Sequence, residues 1–241
     1  MPSETAGHIV RSYDEDLKRL RELISRMGGL AEKQVADAVE ALVERDTELA
    51  AEVVQRDLQL DAMEREVELF CVRLLALRQP MASDLRLIVT AMRIASDLER
   101  IGDYARNGAK RAMVIAQQPV LGSLNGFERM AELVQENLKD AIDALVEQDA
   151  AKAHDVWEKD EPIDGIYNGI FRELLTFMME DPRNITVATH LLFIAKNLER
   201  IGDHATNIAE RVHFAVLGEP LTEERPKADS SAFAVVRPPG A

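Results

Sequence analysis

Residues 98–111 read LERIGDYARNGAKR and residues 198–211 read LERIGDHATNIAER, so one fourteen-residue phrase occurs twice, one hundred residues apart. Ten of the fourteen positions are identical, among them Glu99/Glu199, Asp103/Asp203 and Asn107/Asn207. Whatever local structure the first copy builds, the second must also build, so the chain reads as a tandem duplication. The polar letters carry separate information. A helix core requires its apolar positions to persist and is indifferent to which acid sits outside them.

Helical periodicity surrounds both copies. Leu17, Leu20, Ile24 and Met27, then Val35, Val39 and Leu42, step by three and four residues and predict one long helix over 13–44, with Gly28-Gly29 as a soft spot. Asp46 reads as the N-cap of a second helix over 47–78, which Pro80 stops. A third helix is expected over 82–116, ending in a linker with Pro119, Gly122, Ser123 and Asn125. The plan then repeats, with helices over 126–147, 150–179 and 185–217 and with Asp149 as a second cap. ALVERD at 41–46 matches ALVEQD at 144–149, and the Asp57/Asp61 pair matches Asp160/Asp164. The offset there is 103 residues instead of 100, which places a three-residue difference in one loop. Long helices with short loops make antiparallel neighbours. The expected fold is therefore all-α, two tandem three-helix bundles over 8–118 and 124–217, with a disordered tail over 218–241.

Composition narrows the function classes. The net charge is −14 and no basic run is present, which argues against nucleic acid as a partner. An acidic balance suits cations, metals or basic partner surfaces, and it serves solubility equally well. The single cysteine, Cys71, excludes an internal disulfide and lies near its helix's apolar stripe, as a buried structural thiol does. No secretory leader and no apolar run of membrane-spanning length is legible, so a cytoplasmic protein without direct membrane insertion is expected. There is no phosphate-binding loop, no dinucleotide fingerprint and no nucleophile elbow, and catalysis is not expected.

The repeated acids are the candidate site. Glu99 and Asp103 stand four apart, and Asn107 continues the line. At about 100° per residue these three project away from Leu98, Ile101, Ala105 and Ala112, toward the solvent side of a bundle. Glu199, Asp203 and Asn207 do the same. A solvated face explains any single pair. Yet like charges at this spacing cost a helix about 0.2–0.5 kcal/mol, and Glu-to-Lys pairs would solubilise it better. Asp61 and Asp164 flank the stripe of the preceding helix, so antiparallel neighbours can bring both acid pairs to one cation. Oxygen donors suit magnesium, calcium, manganese or iron, and zinc is less favoured because no Cys/His cluster is evident. Glu210 and His213 have half of a di-iron spacing, but Lys110 and Met113 at the matching positions make it a chance spacing. His204 points to another helix face, and Trp157, aligned with Val54, reads as packing.

The twin LERIGD phrases, the opening SYDEDLKRLRELISRMGGLAEKQVADAVEALVERD and the stretch RDLQLDAMEREVE together resemble the PhoU family over residues 8–217. The resemblance implies tandem three-helix bundles and a non-enzymatic negative regulator of phosphate uptake and of the phosphate-starvation response. It implies a link between a phosphate ABC transporter, through its ATPase subunit, and a sensor histidine kinase, and a homodimer. It also implies metal, commonly iron or zinc, at Glu99/Asp103 and Glu199/Asp203. The first copy departs from the family pattern at Gly108 and Lys110, where the second has Ile208 and Glu210, so Lys110 is expected to weaken the first site. The alternative is a helical scaffold whose acidic face meets a basic partner without metal.

Overall fold

A computed structural model of the chain describes residues 3–159 and 161–222, with side chains from Tyr13 onward. The expected tail therefore lies outside the described residues from 223 on, as does Asp160. The described residues form α1 (Ser3–Val43), α2 (Thr47–Arg78), α3 (Ala82–Ile115), α4 (Asn125–Glu147), α5 (Ala150–Glu158), α6 (Glu161–Glu180), a 3-10 turn (Pro182–Asn184) and α7 (Ile185–Leu217). The fold is all-α. Gly28 and Gly29 do not interrupt α1, since packing of its apolar stripe outweighs their roughly 1 kcal/mol helix penalty.

One expected helix is two. The run over 150–179 breaks between Glu158 and Glu161 because Pro162 has no N–H and its ring clashes with the carbonyl four residues earlier. The matching position in the first half is Gln59, and α2 runs unbroken.

The sequence matches reappear as matched geometry. Asp46 accepts hydrogen bonds from Glu48 N and Leu49 N at 2.9 Å, and Asp149 accepts from Ala151 N at 2.9 Å and Lys152 N at 3.0 Å. Each cap follows a residue in the left-handed region, Arg45 at φ 59° and Gln148 at φ 55°. In each turn the aspartate N–H returns to the helix just ended, at Ala41 O (3.0 Å) and Ala144 O (2.9 Å). Arg56 pairs with Asp37 across α1 and α2, and Lys159 reaches Asp140 at 3.4 Å at the matching place.

The helices α1, α2 and α3 pack on one another, and in the second half α4 and α7 pack together and each against both α5 and α6. Long contacts between α3 and α7 and between α1 and α4 join the two groups, and one continuous apolar cluster runs through both. Cys71 and Trp157 lie inside the packed structure as expected, and burial pushes the Cys71 thiol up to about 12. The glycine of LERIGD has a packing reason. A Cβ on Gly102 would sit 2.4 Å from Leu60 Cδ1 and 3.2 Å from Asp57 Oδ1, so its absence lets α3 close on α2.

Candidate functional site

The acids of the repeated phrase lie in helix–helix seams instead of on the outermost surface. Glu99, Asp103 and Asn107 are half-buried, as is Asp203, and Glu199 is only 7% exposed. The projection from a single helix gave their direction relative to that helix's own stripe. It could not include the neighbouring helix, whose side chains cover them.

In the first half the seam joins α2 to α3. Asp57 is buried, and Asp61 and Glu64 stand beside it on α2. Burial raises the Glu99 pKa above the usual carboxylate range. Asp103 raises it further against the opposing pull of Arg100, and Glu64 and Asp61 add to the rise. Burial also raises Asp57, opposed by Arg106 and reinforced by Asp103 and Asp61. Glu64 is raised by burial and by Glu68, against a hydrogen bond from Ser96. Carboxylates from two helices thus share one electrostatic field. Arg106 enters that field, donating to Asp57 and pairing with Asp103 at 2.7 Å. Arg100 lies 3.6 Å from Glu99 and 3.5 Å from Asp103.

The second half differs. Asp164 on α6 is buried, and Lys196 Nζ donates to Glu199 Oε1 at 2.8 Å while lying 4.8 Å from the centre of the Tyr167 ring. Arg200 lies over the Tyr104 ring at 5.6 Å, unlike its counterpart Arg100. At the register of Arg106 stands Thr206, whose hydroxyl donates back to Gly202 O at 3.1 Å. Asn207 lines a recess between α3 and α7 with Thr90, Arg93 and Arg211.

Arg106 thus gives the first seam a guanidinium where the second has Thr206, Lys196 gives the second an ammonium where the first has Ser96, and Lys110 is exposed. The signal was available in the Arg106/Thr206 mismatch, but only the seam gives it meaning. The sequence reading also missed Asp97, which is buried and pairs with His204 at 3.0 Å and Arg211 at 2.5 Å across α3 and α7. Its counterpart Asn197 donates to Tyr104 O at 3.4 Å.

The seams supply an all-oxygen donor set, which fits magnesium, manganese or iron. The first seam's carboxylates are raised by burial first and by one another second, and a cation beside them would stabilise their charged form. Asp61, Glu99 and Asp103 would hold a metal in the first seam, and Asp164, Glu199 and Asp203 in the second. Among the described residues, the one group of three side chains with ligand atoms all within 4.8 Å of one another is elsewhere, at His154, Asp155 and Glu158. Side-chain rotation would have to close either seam around an ion.

Carboxylates thus line helix seams on an all-helical frame. A match to the PhoU domain covers residues 24–112 and again 127–212, so it contains both acid motifs. The chain is 53% identical over 223 residues to the phosphate-specific transport system accessory protein PhoU homolog of Caulobacter vibrioides, covering 92% of this chain and 97% of that one. It is 51% identical to the homolog of the same description from Rhizobium meliloti, covering 94% and 96%. The crystal structure of PhoU from Pseudomonas aeruginosa superposes with a TM-score of 0.83 at 42% identity, covering 86% of this chain and all of that one. The phosphate transport system regulatory protein PhoU from Streptococcus pneumoniae superposes at 0.81 with 31% identity, over 88% of this chain. This chain belongs to the PhoU family, whose members are regulatory and non-catalytic.

Proposed function

We propose that this chain is a negative regulator of phosphate uptake and of the phosphate-starvation response, acting from the cytoplasm between a phosphate ABC transporter and a sensor histidine kinase. The observation that carries this reading is the double family match, each copy spanning one acid motif, together with full-length identity to phosphate-transport accessory proteins. Among the described residues no helix is long and apolar enough to cross a membrane, so contact with a membrane-bound transporter or kinase would run through protein surfaces. The chain is read as two three-helix units related by duplication, 8–118 and 124–217, and as a homodimer. Leu69, Val72 and Leu77 are exposed on α2.

Metal at Glu99/Asp103 with Asp61, and at Glu199/Asp203 with Asp164, is part of the proposal. Burial of Glu99, and after it the repulsion from Asp103, Glu64 and Asp61, supports it. Untagged protein is expected to carry iron, manganese, magnesium or zinc, and Glu199→Ala/Asp203→Ala to carry less. Equal metal in both would end the metal part. For the regulatory part, a strain lacking the gene is expected to express phosphate-responsive genes in high phosphate. Normal repression in that strain would refute it.

A second reading is favoured by Arg106 and Lys196, which already supply cations to the two seams. In that reading the chain is a helical scaffold whose acids meet a basic partner surface without metal. Partner binding that weakens with salt and survives a chelator would select it.

A further inference from the structure

We propose that His154, Asp155 and Glu158 of α5, joined by His213 of α7, form a site for a divalent transition metal of the zinc class, separate from the acid seams. One ligand atom from each of the three α5 residues lies within 4.8 Å of the other two. Ligands about 2.1 Å from a tetrahedral zinc are about 3.4 Å apart, so small side-chain rotations at this half-open surface close the set. His213 arrives from a different helix, its ring centre 6.4 Å from that of His154.

The tautomer of His213 suits ligation. Its Nδ1 lies 3.3 Å from the carbonyl oxygen of Glu219, which can only accept, so Nδ1 carries the proton. In the neutral ring Nε2 then carries the lone pair, and a backbone carbonyl on the other ring nitrogen is the usual support of a metal-bound imidazole. The chain has five histidines, and two of them meet here. The matching positions in the first half are Ala51, Glu52, Gln55 and Met113, which lack imidazole altogether. Two imidazoles and two carboxylates select zinc, cobalt or nickel over magnesium and calcium, the opposite preference to the all-oxygen seams. Metal here would tie the short helix α5 to the last turn of α7.

Trp157 is the single tryptophan, and its ring centre is 5.8 Å from that of His154. Cobalt(II) added to the untagged full-length chain is expected to quench Trp157 fluorescence saturably, with zinc competing it away. His154→Ala and His213→Ala should each weaken this by about tenfold or more, since even outer-shell partners of a metal are worth that much. Glu199→Gln/Asp203→Asn should leave it unchanged. Undiminished quenching in the histidine variants, or its loss only in the Glu199/Asp203 variant, overturns the proposal. Should the histidine variants misfold, imidazole proton resonances of the native chain decide. Zinc must shift His154 and His213 together, and shifting neither refutes the site.

Discussion

In the first half, Arg106 spans the seam between Asp57 and Asp103; at the same register of the second half, Thr206 bonds its own helix at Gly202. The surrounding frame is shared, with the same caps, the same left-handed turn residues and matching ion pairs between the first two helices. The comparison teaches that duplicated cores are held tightly while the charges in their seams drift apart. Core positions are constrained by every neighbour they touch, whereas a half-buried charge needs only some counter-charge within reach. The first half supplies one as a guanidinium held between two helices. The second uses Lys196, placed over Tyr167, and keeps its imidazoles for α5 and α7.

The largest test asks whether the halves are separate at all. Leu98→Ala and Leu198→Ala should each cost about 2–5 kcal/mol, since both leucines are buried in one continuous core. Denaturant unfolding should remain a single transition in both variants. Two resolved transitions would show that the halves are independent units.

Next comes the arginine. Arg106→Ala leaves the buried Asp57 carboxylate without its donor and should cost about 1–3 kcal/mol at neutral pH. Thr206→Ala should cost less, since the hydroxyl that donates to Gly202 O is a neutral group and not the guanidinium of a buried carboxylate. The Asp57 pKa is raised in the folded chain, so the folded state holds its proton to higher pH than the unfolded state does. Stability from that group is gained as pH falls through its folded pKa toward the ordinary carboxylate range. The Arg106→Ala penalty should accordingly shrink with acid, and a pH-independent penalty would assign it to packing.

The caps should behave alike. Asp46→Ala and Asp149→Ala are each expected to lose about 1 kcal/mol in chemical denaturation. A large difference between them would mean that the break before Pro162 makes α5 locally less stable than the start of α2.

The smallest effect is a gain. Glu99→Gln removes a like-charge neighbour of Asp103 and should stabilise metal-free protein by about 0.2–0.5 kcal/mol at neutral pH. The gain should fade as pH falls through the raised Glu99 pKa, because the native carboxyl is then already protonated. A gain that grows with acid would contradict the sign of that shift.

The helix ends at Thr47, Arg78, Glu147, Ile185 and Leu217 were legible in advance because caps, prolines and three-to-four spacing act within a few residues. The break in 150–179 was legible too, since Pro162 stands in the sequence, but the repeat pattern of the first half concealed it. The acids themselves were visible as a repeated pattern. Their partners were not, because Arg106 reaches Asp57 across 49 residues and Asp97 reaches Arg211 across 114.

The sequence by itself determined an all-helical chain, its repeated plan, its buried cysteine and tryptophan, and the identity of the acids that do not serve the core. Those features depend on periodicity and side-chain chemistry, which are local. Tertiary structure decided that the acids lie in seams and that Arg106 spans one of them, from Asp57 to Asp103. It also brought His154 and His213 together. Each of these depends on the packing of one helix against another. A helical wheel describes one helix, and a seam exists only between two.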